Sequence, residues 1–225
     1  MSDIKPPYIP SLLWQTFSSR GTPKRLAPNE LLWTPGSNFP EHKYVVTSGL
    51  LRLYHVTSSG NGVTLLTVSA GGFLGQHTDA ATENQMTGAE ALCETELLFL
   101  PLEQTSRWLS QKDDVGRLFA GWIYDDLVAQ LRDTQLRFSL EHDTALVCVV
   151  HALLVLDHLN LLERMSRQQI ATVANLTVET TVRVISKLLR EGHLASSRFT
   201  TLSDKERLTL ADLLEPYELS NSPYG

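Results

Sequence analysis

Two short amphipathic helices joined by a tight turn are predicted over residues 166–190, and this stretch constrains the fold more than any other. Ser166 and Gln169 have the spacing of a capping box, in which each side chain satisfies a backbone amide at the start of a helix. Asn175 tolerates the left-handed backbone that a tight interhelical turn requires, and Thr177 can cap the second helix. We therefore predict a helix-turn-helix.

The second predicted helix, which Gly192 can end, has one apolar face and one polar face. The inward positions are Val184, Ile185, Leu188 and Leu189. The outward positions are Val178, Glu179, Val182, Arg183, Ser186 and Lys187. Arg183 can donate two hydrogen bonds to guanine, Glu179 can accept one from cytosine, and exposed valines can contact thymine methyl groups. This face is typical of a helix that contacts bases in the major groove of DNA.

Basic residues around this helix are suited to the DNA backbone. Lys187, Arg190 and Arg167 can contact phosphates, which supply affinity without distinguishing sequences. Our candidate DNA-binding residues are Ser166, Arg167, Gln168, Thr177, Val178, Glu179, Val182, Arg183, Lys187 and Arg198. The net charge of −6 argues against a nucleic-acid partner, but eight basic residues stand against five acidic ones between residues 159 and 210. Two packed helices with solvated charges, or a module that binds another protein, are the alternatives.

The N-terminal half has the pattern of a β-domain. Short β-branched or alternating runs are separated by turn residues between positions 28 and 104. These predicted strands are 30–33, 44–46, 50–56, 63–68 and 96–100. Many short strands at this spacing predict an antiparallel sandwich or barrel. At the other end of the chain, residues 195–201 and 207–210 predict a two-stranded wing after the helix-turn-helix.

A change of period predicts a long helix from residue 115 to residue 140. Its apolar positions recur at steps of four and three residues: Ala120, Tyr124, Leu127, Leu131, Thr134 and Phe138. This spacing fits a coiled-coil seam between two copies of the chain, and it equally fits a surface helix packed on its own β-domain. Residues 144–156 are apolar nearly all round, which predicts a buried helix.

Several other classes of protein are disfavoured by the sequence. The longest apolar run, Ala145–Leu156, is too short for a membrane span, and the N-terminus has no secretory signal, so we expect no membrane partner and a cytoplasmic location. Cys93 and Cys148 lie in apolar contexts, which predicts small buried side chains, and two cysteines cannot supply a four-cysteine iron–sulfur cluster. The enzyme motifs HExxH and GxSxG and a Gly-rich phosphate loop do not occur, so we expect no enzyme.

The predicted order of elements resembles the catabolite activator and fumarate-nitrate regulator (CRP/FNR) superfamily of bacterial transcription regulators over nearly the whole chain. Residues 176–183 resemble its recognition helix, and residues 72–76 are similar to the start of its phosphate-binding cassette. The resemblance implies an α+β fold with a cyclic-nucleotide-binding-like jelly-roll barrel over residues 1–114, a dimerisation helix over 115–141 and a winged helix-turn-helix over 142–225. It also implies a homodimer, double-stranded DNA and RNA polymerase as partners.

Within this resemblance, Glu179 and Arg183 occupy the positions of the family's two shared base-contacting residues. Val178 stands where catabolite activators have a third, arginine contact, which favours a half-site of the fumarate-nitrate type. Val182 departs from the small residue usual in that branch.

The sensor half departs further from its relatives. Gln76 stands at the family's ribose-binding glutamate, and Met86 and Thr87 stand at its phosphate-binding Arg-Ser pair. No Lys or Arg occurs between Arg52 and Arg107, so a buried phosphate would have no compensating cation, and cyclic AMP bound in the usual way is disfavoured. A carboxylate such as 2-oxoglutarate meets the same objection, unless a basic residue of the long helix, Arg132 or Arg137, reaches in. The candidate effector pocket comprises Gly75, Gln76, Met86, Thr87, Gln130 and Leu131, and it favours an uncharged effector or none.

His77 raises haem as an alternative cofactor. It lies where carbon-monoxide-sensing members of the family carry a haem-ligating histidine, although Gly75 replaces their neighbouring cysteine. A polar histidine at the start of a short helix is more often a surface or capping residue.

Overall fold

The computed structural model of the chain describes residues 6, 8–36, 42–75, 87–141 and 144–214. The chain divides into two compact units, Met1–Leu131 and Arg132–Gly225. The boundary between them falls within the long helix. The division into three parts at residues 114 and 141 stays a prediction.

The first unit is built on two four-stranded antiparallel sheets. In chain order the strands are β1 Thr22–Leu26, β2 Leu31–Trp33, β3 His42–Ser48, β4 Leu50–Val56, β5 Gly62–Ser69, β6 Phe73–Leu74, β7 Thr87–Ala91 and β8 Thr95–Pro101. One sheet has the order β1-β8-β3-β6 and the other has the order β2-β7-β4-β5. All five predicted strands are present. The two sheets are separate, so the closed barrel predicted in the fold class is wrong for the described residues and the alternative, a sandwich, is observed.

Seven α-helices complete the described residues. They are α1 Ser11–Arg20, α2 Leu102–Ser110, α3 Asp114–Glu141, α4 Ala145–His158, α5 Arg167–Val173, α6 Val178–Arg190 and α7 Asp204–Asp212. The predicted long helix corresponds to α3, and the predicted buried helix corresponds to α4, which has ten buried residues. Helices α1 and α2 were not predicted.

Two apolar clusters hold the first unit together. The cluster between the sheets includes Trp33, Tyr44 and Leu51. The second lies where α1, α2 and α3 cover the other face of the β1-β8-β3-β6 sheet, and its aromatic members are Phe17, Phe73, Trp108, Phe119 and Trp122. Their rings meet at tilted or edge-to-face angles with centroids 5.3 to 6.1 Å apart, in the range that aromatic pairs prefer.

The predicted wing is wrong in both of its strands. Residues 207–210 lie in α7, and no strand is formed between residues 195 and 214. The physical reason is a second capping box: the Ser203 hydroxyl accepts the Glu206 N–H at 3.3 Å, and the Glu206 carboxylate accepts the Ser203 N–H at 2.8 Å. This reciprocal pair starts a helix where an alternating apolar pattern had indicated a strand.

Candidate nucleic-acid interface

The predicted capping box sets the start of α5. The Ser166 hydroxyl accepts the Gln169 N–H at 3.3 Å, and the Gln169 side-chain oxygen accepts the Ser166 N–H at 2.7 Å. After α5 the backbone turns at Asn175, whose φ of 54° is in the left-handed region. Both features were predicted, and together they fix the entry into α6.

Helix α6 is capped and buried as its sequence predicts. The Thr177 hydroxyl oxygen accepts the Thr180 N–H at 3.2 Å, and Gly192 follows the helix with a φ of 78°. The inward residues Val184, Ile185 and Leu188 are buried, and Leu189 is half-buried. Thr181 is also fully buried, which its polar side chain did not indicate.

The opposite face of α6 is open to solvent. Glu179, Arg183 and Lys187 are exposed, and Val182 leaves 41% of its surface accessible, whereas Val178 is half-buried. Within the described residues, the only hydrogen bond of the Arg183 guanidinium is a 3.4 Å contact to the Thr180 hydroxyl. Lys187 lies 3.9 Å from Glu191. These weak contacts leave both cations available to another molecule.

Arg167, one of the predicted phosphate contacts, has partners within its own chain. Arg167 donates a hydrogen bond to the Ser197 carbonyl, and its guanidinium stacks on the Phe199 ring at 4.3 Å from the centroid. Burial lowers the pKa of the Arg167 guanidinium. This contact anchors the loop after α6 to the start of α5, and no local pattern of residues predicts it. Arg198, in the same loop, is exposed, as are Ser166 and Gln168.

The candidate effector pocket is described only in part. Gln76, His77 and Met86 lie outside the described residues. Gly75 has a φ of 146°, and Thr87 opens β7, where its carbonyl accepts the Trp33 indole N–H at 3.2 Å. Four of the six predicted pocket residues are therefore described: Gly75 after β6, Thr87 on β7, and Gln130 and Leu131 on α3. Leu131 is 57% exposed.

Gln130 is held by its own chain. Its amide nitrogen lies 2.8 Å from the Phe73 carbonyl and 2.6 Å from the Asp126 carboxylate, which also accepts the Phe73 N–H at 3.1 Å. One turn earlier, the Trp122 indole donates to the Gly71 carbonyl at 3.3 Å. Burial raises the pKa of Asp126 to about 6, although the hydrogen bonds from Phe73 and Gln130 oppose the shift. These side chains, which follow one another along α3, fix the backbone at Gly71 and Phe73, just before the candidate pocket residues Gly75 and Gln76.

Comparison with known proteins agrees with this architecture. Residues 23–112 match the family described as the cyclic nucleotide-binding domain. FixK2 from Bradyrhizobium japonicum is 22% identical with a TM-score of 0.68, over 86% of this chain and 96% of that one. A CRP/FNR-family transcriptional regulator from Thermus thermophilus is 23% identical with a TM-score of 0.62, over 85% and 98%. The chain has the CRP/FNR fold, with a cyclic nucleotide-binding domain.

The predicted resemblance is thereby confirmed. A third structure with this fold, the c-di-GMP-responsive global regulator CLP from Xanthomonas campestris, is 20% identical with a TM-score of 0.68, over 85% of this chain and 97% of that one. Among curated protein sequences, nothing matches the chain.

One face of α3 is open to solvent. Tyr124, Leu127, Leu131 and Phe138 are 43% to 68% exposed, Ala120 is exposed and Thr134 is half-buried. A different face, which carries Phe119, Trp122 and Ile123, packs on the sandwich. Of the two alternatives for the apolar repeat, packing on its own β-domain therefore does not describe these six residues.

The remaining predictions concern smaller features. Cys93 and Cys148 are buried and form no disulfide, as their apolar context predicts. In the described part of the chain, no helix has the length and hydropathy to cross a membrane, and no group of three or more potential metal ligands is found. Arg137 donates to Asp133 and to the Val173 carbonyl, and Arg132 is exposed.

Proposed function

We propose that the chain is a sequence-specific DNA-binding transcription regulator whose helix α6 enters the major groove. The observation that carries this proposal is the exposed face of Glu179, Val182 and Arg183 on a helix whose opposite face is buried. An apolar side chain left 41% accessible beside two charged ones suits contact with a base edge better than it suits solvent.

The spacing on α6 supports a division of roles. Glu179 and Arg183 are one helical turn apart and so lie on the same side, where Arg183 pairs with guanine and Glu179 accepts from cytosine. Lys187, one turn further on, contacts a phosphate. Val182 contacts a thymine methyl group, and half-buried Val178 does so to a lesser extent. With Val178 in place of an arginine, we expect a half-site of the fumarate-nitrate type.

Residues at the ends of the two helices would fix the position of the protein on the DNA. Ser166, Gln168 and Thr177 can donate to phosphates close to helix N-termini, where the helix dipole favours anions. Arg198 supplies a further phosphate contact from its exposed loop. Arg167 acts indirectly, because it holds that loop through Ser197 and Phe199.

We propose that the regulator acts as a homodimer through the exposed apolar face of α3. Side chains as large as Tyr124, Leu127, Leu131 and Phe138, with Thr134 between them, form a strip at coiled-coil spacing. A two-fold dimer would place two copies of α6 on palindromic half-sites about one helical turn apart. A cytoplasmic regulator of this kind would act together with RNA polymerase.

The sandwich, in our proposal, does not bind cyclic AMP in the usual way. No basic residue lies between Arg52 and Arg107, and Arg52 is paired with Glu90 at 2.6 Å. Gln130 donates to its own chain. An uncharged effector, or none, suits a pocket bounded by Gly75, Thr87 and Gln130.

Selection of binding sites from a random duplex library, followed by fluorescence anisotropy on the selected site, tests the function. Arg183→Ala should lower affinity for the selected site by about tenfold or more, equivalent to about 1 to 3 kcal/mol, and should change affinity for unrelated DNA by less than about twofold. Lys205→Ala, an exposed change on α7, serves as the matched control. An equal loss on both DNAs would rule out base contact by Arg183.

The salt dependence of binding gives a second measurement. Affinity should fall with salt, because phosphate contacts release counterions, and Lys187→Ala should reduce the slope of log K against log salt by about one. A dimer that enriches no sequence from the library would instead favour the alternative in which the helix-turn-helix contacts a protein.

A further inference from the structure

The last turns of α3 contain a buried ion pair that the proposed function does not use. Arg137 Nε lies 2.9 Å from the Asp133 carboxylate, and the two side chains are only 6% and 3% exposed. Placing two charges out of water is costly unless their remaining polar atoms are also bonded. The buried pair is therefore expected to bond to a further group of the protein.

The third partner is the C-terminal end of α5. Arg137 Nη1 donates to the Val173 carbonyl at 2.8 Å, and Val173 is the last residue of that helix. Carbonyls in the last turn of a helix have no intrahelical donor and must find one elsewhere. The next three amides, of Ala174, Asn175 and Leu176, bond to carbonyls earlier in α5, so Arg137 supplies what the turn itself leaves unsatisfied.

Helix α4 carries a buried imidazole that is sensitive to the charges of this pair. His151 is 6% exposed, and its Nε2 has no hydrogen-bond partner within the described residues. Burial, followed by the positive charge of Arg137, lowers the pKa of this imidazole to about 4, and the negative charge of Asp133 opposes the shift. The ion pair is itself buried and is bonded to α5, so it has little freedom to take another arrangement.

The position of the pair along α3 suggests what it connects. Asp133 and Arg137 each adjoin a residue of the exposed apolar strip, Thr134 and Phe138 respectively. The same two turns of helix therefore present their apolar positions outward and their ion pair toward the helix-turn-helix. A second copy of the chain that packs on Thr134 and Phe138 would therefore also hold the part of α3 from which Arg137 donates to the Val173 carbonyl.

We propose that Arg137 is a positioning residue that ties the turn between α5 and α6 to the last turns of α3. The inference rests on the proposed function, because α6 is taken as the DNA-contacting helix. Loss of the Arg137 contact would let the turn at residues 174–177 fluctuate, and α6 would then meet the major groove in a wider range of orientations.

The test uses the full-length protein with Asp133→Leu and Arg137→Met combined, so that no single charge is left buried. Amide hydrogen exchange of residues 174–177 should accelerate by about tenfold or more relative to α4, since local opening governs exchange. Affinity for the selected DNA site should fall by about tenfold, while affinity for unrelated DNA should change by less than about twofold. The single variant Arg137→Lys keeps a charge and a donor, so its amide exchange at residues 174–177 should stay close to that of the wild type.

The matched control replaces an ion pair of the sandwich, with Arg52→Met and Glu90→Leu combined. It should leave exchange at residues 174–177 and the ratio of the two DNA affinities unchanged. Unaltered exchange in the Asp133/Arg137 variant, or an equal change in the control, would overturn the positioning role. The exchange measurement needs no DNA, so it remains decisive even if the wild-type chain binds none, an outcome that would contradict the proposed function separately.

Discussion

Asp157, near the end of α4, accepts a hydrogen bond from the Arg207 guanidinium of α7, with 2.7 Å between Oδ2 and Nε. Its other carboxylate oxygen accepts the Leu202 N–H at 2.8 Å. The Asp157 side chain is 3% exposed and the Arg207 side chain is 43% exposed. One buried carboxylate thus holds both α7 and the loop before it against α4.

This arrangement predicts unequal effects of removing the two partners. Asp157→Ala leaves the buried Leu202 N–H without an acceptor and should lower the free energy of unfolding by about 2 kcal/mol. Arg207→Ala should have a smaller effect, because its guanidinium is largely solvated and water can take its place. Urea denaturation of both variants checks the order, and a larger loss for Arg207→Ala would contradict it.

Local signals predicted much of the fold. The capping box at Ser166 and Gln169, the left-handed Asn175 and the period of α3 depend only on residues close in sequence. Strand β1 was missed because Pro23 and polar neighbours argue against a strand. It forms because β1 is at the edge of its sheet, where a proline needs no hydrogen-bond partner on the open side.

Contacts between distant residues could not be predicted in the same way. The bond from Arg137 to Val173 spans 36 residues and that from Phe73 to Asp126 spans 53. Neither leaves a spacing pattern in the sequence. At the candidate DNA interface, the same limit applies to Arg167, whose contacts to Ser197 and Phe199 come from about thirty positions away and could not be predicted from its charge.

The exposed strip on α3 predicts that a single charge will separate the dimer. Leu127→Glu places a carboxylate in the proposed seam, where two copies would bring like charges together in an apolar contact. Sedimentation should show a dimer for the wild type at micromolar concentration and a monomer for this variant. Leu118→Glu is the matched control, because Leu118 is similarly exposed on α3 but lies outside the repeat. A wild-type monomer, or dissociation by both variants, would refute the seam.

The buried Asp126 leads us to expect that the stability of the first unit depends on pH. Its pKa is raised from 3.8 to about 6 by burial, so the folded state holds a proton that the unfolded state has already lost between these values. Stability should therefore fall as pH rises from about 4 to 6, with the full penalty present above pH 6.

Asp126→Asn keeps an acceptor for the Phe73 N–H and removes the titration. It should flatten this pH dependence and raise stability at neutral pH by about 1 to 2 kcal/mol. All four tryptophans lie in the first unit, so their fluorescence during urea denaturation reports on it selectively. Asp125→Asn, a change at the neighbouring exposed carboxylate, should leave the profile as it is. A profile that keeps its slope without Asp126 would assign the effect to another group.

The buried His151 leads us to expect that the stability of the second unit depends on pH with the opposite sign. Burial, aided by the charge of Arg137, lowers its pKa from 6.5 to about 4, so the unfolded state gains a proton that the folded state refuses. Stability should be highest above pH 6.5 and should decline by about 2 kcal/mol on acidification to pH 5. His151→Leu replaces the imidazole with an apolar side chain of similar size that does not titrate, and it should abolish this decline. Amide exchange within α4 measures it in the second unit alone, and His158→Gln, at an exposed position on the same helix, is the control. If acidification to pH 5 destabilises α4 equally in wild type and His151→Leu, the imidazole is not the group responsible.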